Sequence, residues 1–212
     1  MLKIDTHAHI LPSDWPDLNG RHGASGIPVL ERSGERYLIM KDGAFFREIW
    51  PNGFDMDVRI EEYTRFGIQV QVISTVPVMF SYDQPAGVCL ELARFLNDDV
   101  ARHQQAHPRH VIGIGTVPMQ DADAAIGELR RLRDELGLPG IQIGSNVNDR
   151  NLDEYFGGIE ALKQGCILVV ASPGRDRVRK GCGLHRPQGT PPGRRLRRLR
   201  ARAPLPVFLA LG

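Results

Sequence analysis

Five short runs of almost unbroken apolar residues, spaced along the first 170 positions, constrain the fold of this chain more than any other feature. They read LKIDTHAHI (2–10), IQVQVISTVPV (68–78), HVIGIGTVPM (110–119), GIQIGSN (140–146) and GCILVVA (165–171). Runs this rich in Val and Ile, without polar alternation, are what strands buried on both faces of a parallel sheet require. Helical stretches lie between them. The segment 55–67 starts on Asp55, carries Val58, Ile60 and Tyr63, and stops at Gly67. The segment 86–107 ends at Pro108, and 121–137 has an acidic first turn and stops at Gly137. A shorter helix over 151–165 is weakened by Gly157 and Gly158.

Strands alternating with helices imply right-handed crossovers and a parallel sheet, hence an α/β fold. Five strands are too many for a simple mononucleotide-binding half, and no GxGxxG follows the first strand. The expected architecture is an incomplete (β/α)8 TIM barrel, since a full one takes about 250 residues. Residues 13–54 interrupt the alternation. Within them IPVLERSGERYLIMKDGAFFREIW (27–50) reads as short strands joined by Ser-Gly and Asp-Gly turns. A small β insertion after strand one sits at the C-terminal mouth of a barrel, where active sites are built.

The bulk properties narrow the class further. Hydrophobic residues make up 42% and charged residues 25%, ordinary for a globular chain able to bury a real core. No apolar run reaches the roughly eighteen residues of a membrane span. The N-terminus enters a strand pattern directly, so neither a secretion signal nor a membrane partner is expected. Cys89, Cys166 and Cys182 are odd in number and far apart, which fits reduced thiols in a cytoplasmic protein rather than a disulfide framework. Cys89 and Cys166 lie in apolar surroundings and read as buried packing rather than as nucleophiles.

The residues able to do chemistry begin with His7 and His9. Positions i and i+2 of a strand point to one face, so the two rings project together near the end of strand one. Neutral imidazoles are common ligands for Zn²⁺ and similar ions; the alternative is a pair of polar residues leaving a strand. His103, His107 and His110 suggest a cluster by count but fall at a helix end and in a loop, where solvation is expected.

IDTHAHILP resembles the opening metal motif of the amidohydrolase superfamily. More narrowly, KIDTHAHILPSDWPDL, KDGAFFR, STVPVMFSY, GTVPMQ and GIQIG together resemble the aminocarboxymuconate-semialdehyde decarboxylase family, enzymes of tryptophan (kynurenine) degradation, over about residues 1–170. The resemblance implies a (β/α) barrel, one Zn²⁺ or other divalent metal, and non-oxidative removal of a carboxylate from an acidic unsaturated small molecule. It matches His7 and His9 to the first two metal ligands and Arg47 to an arginine gripping a substrate carboxylate, a task suited to the guanidinium fork. Met79, Phe80 and Tyr82, just past strand two, are placed to line a pocket or to pack in the core. The resemblance also implies a homodimer in the complete enzyme. A metal-dependent hydrolase is the sister reading.

The pattern breaks near residue 170. The resemblance calls for a His-Pro pair after strand five, followed by a catalytic histidine and a metal-binding aspartate on later strands; here Ala171-Ser172 stands at the His-Pro position. Of the 27 Lys and Arg and 25 Asp and Glu, residues 171–212 hold 11 and 1, leaving 16 and 24 on 1–170. An Arg-, Pro- and Gly-rich tail without periodicity fits a shifted reading frame: GCA-TCC-CCN, read one base later, contains CAT-CCC, His-Pro. Residues 171–212 are therefore expected to be disordered or out of frame, and the chain inactive as written, although LPVFLALG (205–212) has the look of a barrel strand. The different-class alternative, a basic tail binding phosphates of nucleic acid, has a single aromatic, Phe208, for stacking and no recognised module.

Overall fold

A computed structural model describes residues 1–152, 167–171 and 208–211, the last two segments by their backbone. Cys166, Ser172, Cys182 and all but the first two residues of the helix expected over 151–165 lie outside the described residues.

All five apolar runs form strands, and they lie side by side in chain order. β1 (Ile4–His9) belongs to the first run, and the small insertion follows it as β2 (Val29–Ser33), β3 (Arg36–Lys41) and β4 (Ala44–Ile49). β5 (Val70–Ser74), β6 (Val111–Gly113), β7 (Gly140–Gly144) and β10 (Ile167–Ala171) come from the other four runs. A short antiparallel pair, β8 (Asn146–Val147) and β9 (Arg150–Asn151), follows β7, so Asn151 is strand rather than the start of a helix. β1, β5 and β6 pair in parallel, as do β7, β10 and a last strand, β11 (Phe208–Leu211). The two halves join just past β6: Gly115 N donates to the Gly140 carbonyl at 2.9 Å, and Gln142 N to the Gly115 carbonyl at 2.7 Å. A side chain could not sit at this seam, because a Cβ on Gly115 would lie 2.6 Å from Leu132 Cδ2 and 2.7 Å from Asn97 Oδ1. The ordered run of parallel strands is the wall of a (β/α) barrel.

Three helices cover its outside. α2 (Met56–Thr64) is capped by Asp55, which accepts from Asp57 N and Val58 N; α3 spans Ala86–Ala106; α4 (Ala122–Asp134) is capped by Asp121. A short α1 (Leu18–His22), capped by Asp17, had no periodicity to announce it. The strands are shorter than their apolar runs. β5 stops at Ser74 because Pro77 opens a 3-10 turn over Pro77–Phe80, and β6 stops at Gly113. α3 and α4 are tied to the barrel by a buried polar knot. Asn97 donates to the Thr116 carbonyl (2.9 Å) and to Glu128 (2.8 Å) and accepts from Thr116 N (2.8 Å). Glu128, 0% exposed, also receives Arg94 (3.1 Å) and Arg131 (2.9 Å).

The insertion is an antiparallel β2-β3-β4 meander, as its turns predict. Gly34 (φ 62°) opens the first two-residue hairpin, and Asp42 and Gly43 (φ 52° and 72°) form the second, the positive-φ pair of a type I′ turn. Its core is separate from that of the barrel: Leu11, Leu18, Ile27 and Ile39 pack on Val88, Leu92 and Leu96 of α3.

Candidate metal and substrate site

β1 delivers its two histidines to one place. The ring centroids of His7 and His9 are 4.6 Å apart, edge to face, at the C-terminal end of the strand. His7 is exposed and His9 half-buried. His9 Nδ1 lies 3.3 Å from Ser74 Oγ at the end of β5. Burial lowers the His9 pKa to about 4, helped by neighbouring His7 and then by Arg59, against opposing backbone contacts with Thr75 and Ser74. His9 is thus a neutral imidazole at ordinary pH, with a lone pair to give. Two nitrogen donors on one face suit a borderline divalent ion. Among the described residues no group of three or more His, Cys, Asp or Glu surrounds them.

The other expected residues go to different places. Arg47 is exposed on β4, opposite Ile39, and its side chain has no hydrogen bond or ion pair among the described residues. The register slips between Ile39 and Met40, which leaves Phe46 as the extra residue of a bulge beside Arg47. Phe80 lines a cleft of about 370 Å³ at the ends of β5 and β7, with Lys41, Ser81, Tyr82, Asp83, Gly144 and Asn148 among its other walls. Tyr82 stacks on Phe80 at 5.4 Å and its hydroxyl accepts from Gly144 N at 3.2 Å; burial pushes its phenol well above the usual range. Met79 is not in that cleft. It is 1% exposed and packs in the insertion core, because the 3-10 turn points it away from Phe80. His103 and His107 face Asp99 (3.4 Å) and Asp57 (3.7 Å) in a separate groove with Tyr37 and Phe54, while His110 touches the Gln69 carbonyl at 3.1 Å. Cys89 is buried, its thiol on the Phe80 carbonyl at 3.1 Å.

The family model for Amidohydrolase matches residues 4–202. The chain belongs to the amidohydrolase family. It is 50% identical over 184 residues to the 2-amino-3-carboxymuconate-6-semialdehyde decarboxylase of Dictyostelium discoideum, covering 84% of this chain and 51% of that protein. It is 36% identical over 196 residues to the protein of the same name from Caenorhabditis elegans, covering 81% and 48%. The chain therefore spans about half the length of these relatives. Among solved structures it is similar to 5-carboxyvanillate decarboxylase from Novosphingobium aromaticivorans, complexed with manganese and 4-hydroxy-3-methoxy-5-nitrobenzoic acid. That match has a TM-score of 0.60 at 25% identity, over 80% of this chain and 49% of the other.

Two residues of this amidohydrolase chain escaped the sequence reading. Ser74 orients His9, yet in the sequence it is only the small residue that closes an apolar run. Gln142 sits in the middle of GIQIG, is 0% exposed, and has neither amide atom hydrogen-bonded among the described residues. A glutamine inside a strand buried on both faces was the available signal. No helix among the described residues is long and apolar enough to cross a membrane.

Proposed function

We propose that this chain carries the metal-facing and carboxylate-gripping part of a metal-dependent, non-oxidative decarboxylase. The substrate class is an acidic unsaturated small molecule of the 2-amino-3-carboxymuconate 6-semialdehyde type, on the route of tryptophan breakdown. The observation that carries the reading is the juxtaposed His7–His9 pair at a barrel strand end, with His9 held neutral by burial, in a chain 50% identical over 184 residues to a decarboxylase of that name.

His7 and His9 would hold a divalent ion, zinc or manganese, which when bound supplies a fixed positive charge against the substrate's oxygens. Burial keeps His9 unprotonated for that task, and Ser74 fixes its ring through Nδ1. Arg47, whose side chain has no partner among the described residues, offers its donors to a substrate carboxylate. Phe80 and Tyr82 give the cleft an aromatic wall against an unsaturated chain. A catalytic ion normally takes three or more protein ligands, and the described residues supply two. We expect weak metal binding and little turnover from the 212-residue chain itself.

The test is zinc and manganese titration of the purified chain, followed by carbon dioxide release from the semialdehyde and hydrolysis of a lactone as paired assays. Metal uptake that needs His7 and His9 supports the site. Metal-dependent lactone hydrolysis without carbon dioxide release would replace the decarboxylase reading by the hydrolase one.

A further inference from the structure

β1 is not a regular strand. Ile4 and Asp5 pair with Val70 and Gln71, whereas Ala8 and His9 pair with Ile73 and Ser74, so β1 spends three steps where β5 spends two. The extra residue falls within Thr6–His7. A bulge of this kind exchanges the faces of a strand. Upstream, Asp5 shares a face with Gln71; downstream, His9 shares one with Ser74. Among the described residues β1 has one neighbouring strand, β5. A bulged strand with one ladder has little of its own to hold two rings side by side.

A chain of side-chain hydrogen bonds makes up the difference. Asp5 Oδ1 accepts from His7 N at 3.1 Å, which satisfies the amide in the irregular stretch. Asp5 Oδ2 accepts from Gln71 Nε2 at 2.8 Å. Gln71 Oε1 accepts from Arg59 Nη1 at 3.3 Å, and Arg59 Nη2 donates to the His9 carbonyl at 2.6 Å. Arg59 Nε is fixed in turn on the Asn52 carbonyl at 2.6 Å. The path leaves the backbone of one histidine and returns to the backbone of the other. Arg59, on α2, is half-buried, and Gln71 is 6% exposed.

We propose that Arg59, acting through Gln71 and Asp5, is a positioning residue for the histidine pair, holding His7 and His9 across the β1 bulge at the spacing a shared ion needs. The proposal rests on the metal-site reading above. Three acceptors lie in three directions around one guanidinium, so a lysine, with a single point of donation, does not replace it.

The experiment compares the unsubstituted chain with Arg59→Met, Arg59→Lys and Gln71→Leu. Three readouts are taken: zinc affinity, the Co²⁺ d–d absorption that reports ligand geometry, and, without metal, the NOE between the ring protons of His7 and His9. Outer-sphere partners of metal ligands are typically worth about 10–100-fold in affinity. That loss is expected in Arg59→Met and Gln71→Leu, with a shifted Co²⁺ band, a lost NOE and an unchanged far-UV spectrum; Arg59→Lys does not recover it. If Arg59→Met fails to fold, Gln71→Leu decides, because it leaves the Arg59 contacts to His9 and Asn52 in place. Folded variants that keep affinity, band and NOE overturn the clamp. An unsubstituted chain that takes up no metal overturns the metal reading alone, and the NOE then still judges the clamp.

Discussion

His9 and Arg47, proposed above for metal and for substrate, sit on opposite kinds of structure. His9 is on a barrel strand, half-buried, its ring against Ser74 and its carbonyl held by Arg59. Arg47 is on the edge strand of the insertion, exposed, beside Phe45 (62% exposed) and Phe46 (49%). The barrel fixes His9 in advance through buried polar contacts, whereas the insertion presents a charged side chain with no partner among the described residues. Preorganisation matters most where ligand geometry is strict, as at a metal; a long cation can reach for a carboxylate at modest entropic cost.

The largest expected effect lies in the barrel. Glu128→Ala removes the buried carboxylate shared by Arg94, Arg131 and Asn97, and a loss of about 3–5 kcal/mol is expected in urea unfolding. The insertion's comparable carboxylate, Glu48, pairs with Arg36 at 2.5 Å with its side chain 35% exposed, so Glu48→Ala should cost about 1 kcal/mol or less. Equal losses would erase the contrast between the two regions.

Next comes the shared core. Leu96 is 1% exposed where α3 meets the insertion, and Leu96→Ala should cost about 2–5 kcal/mol. Phe45→Ala, on the exposed edge, should change stability by about 0.5 kcal/mol or less.

A smaller effect is set by pH. Burial pushes the Cys89 thiol up from 9.0 to about 11. The protonated thiol therefore contributes stability that is fully present below pH 9 and is lost as pH rises through 11. In a background with Cys166 and Cys182 changed to Ser, the Tm should fall over that window, and Cys89→Ala should remove this part of the fall. Smallest for stability is Arg47→Ala, expected to leave the Tm unchanged while weakening binding of a dicarboxylate inhibitor to the metal-loaded protein.

Much of the fold was legible because its signals are local. Val- and Ile-rich runs marked all five strands, Gly137 and Pro108 marked helix ends, and Asp42-Gly43 marked a hairpin. Strand ends were less legible: the apolar run of β5 continues through Val76 and Val78, but Pro77 had already turned the chain. The i, i+2 spacing brought His7 and His9 to one face, whereas the role given to Arg47 came from a motif alone. The same neighbourhood misled on Met79, one residue from Phe80 yet in another core. Arg59 and Gln71 had no local signature at all. Arg59 reads as a polar helix position, and its contact with His9 spans 50 residues of sequence. Such partners are set by how α2 docks on β1 and β5, which periodicity does not encode.

Whether the β1 histidines form a metal-binding pair is decided by calorimetric titration of the chain with zinc, repeated on His7→Ala and His9→Ala. Saturable binding at one site is expected, lost in both variants while their far-UV spectra stay unchanged. Binding that persists in both variants, or an unsubstituted chain that takes up no metal, would contradict a metal-binding pair.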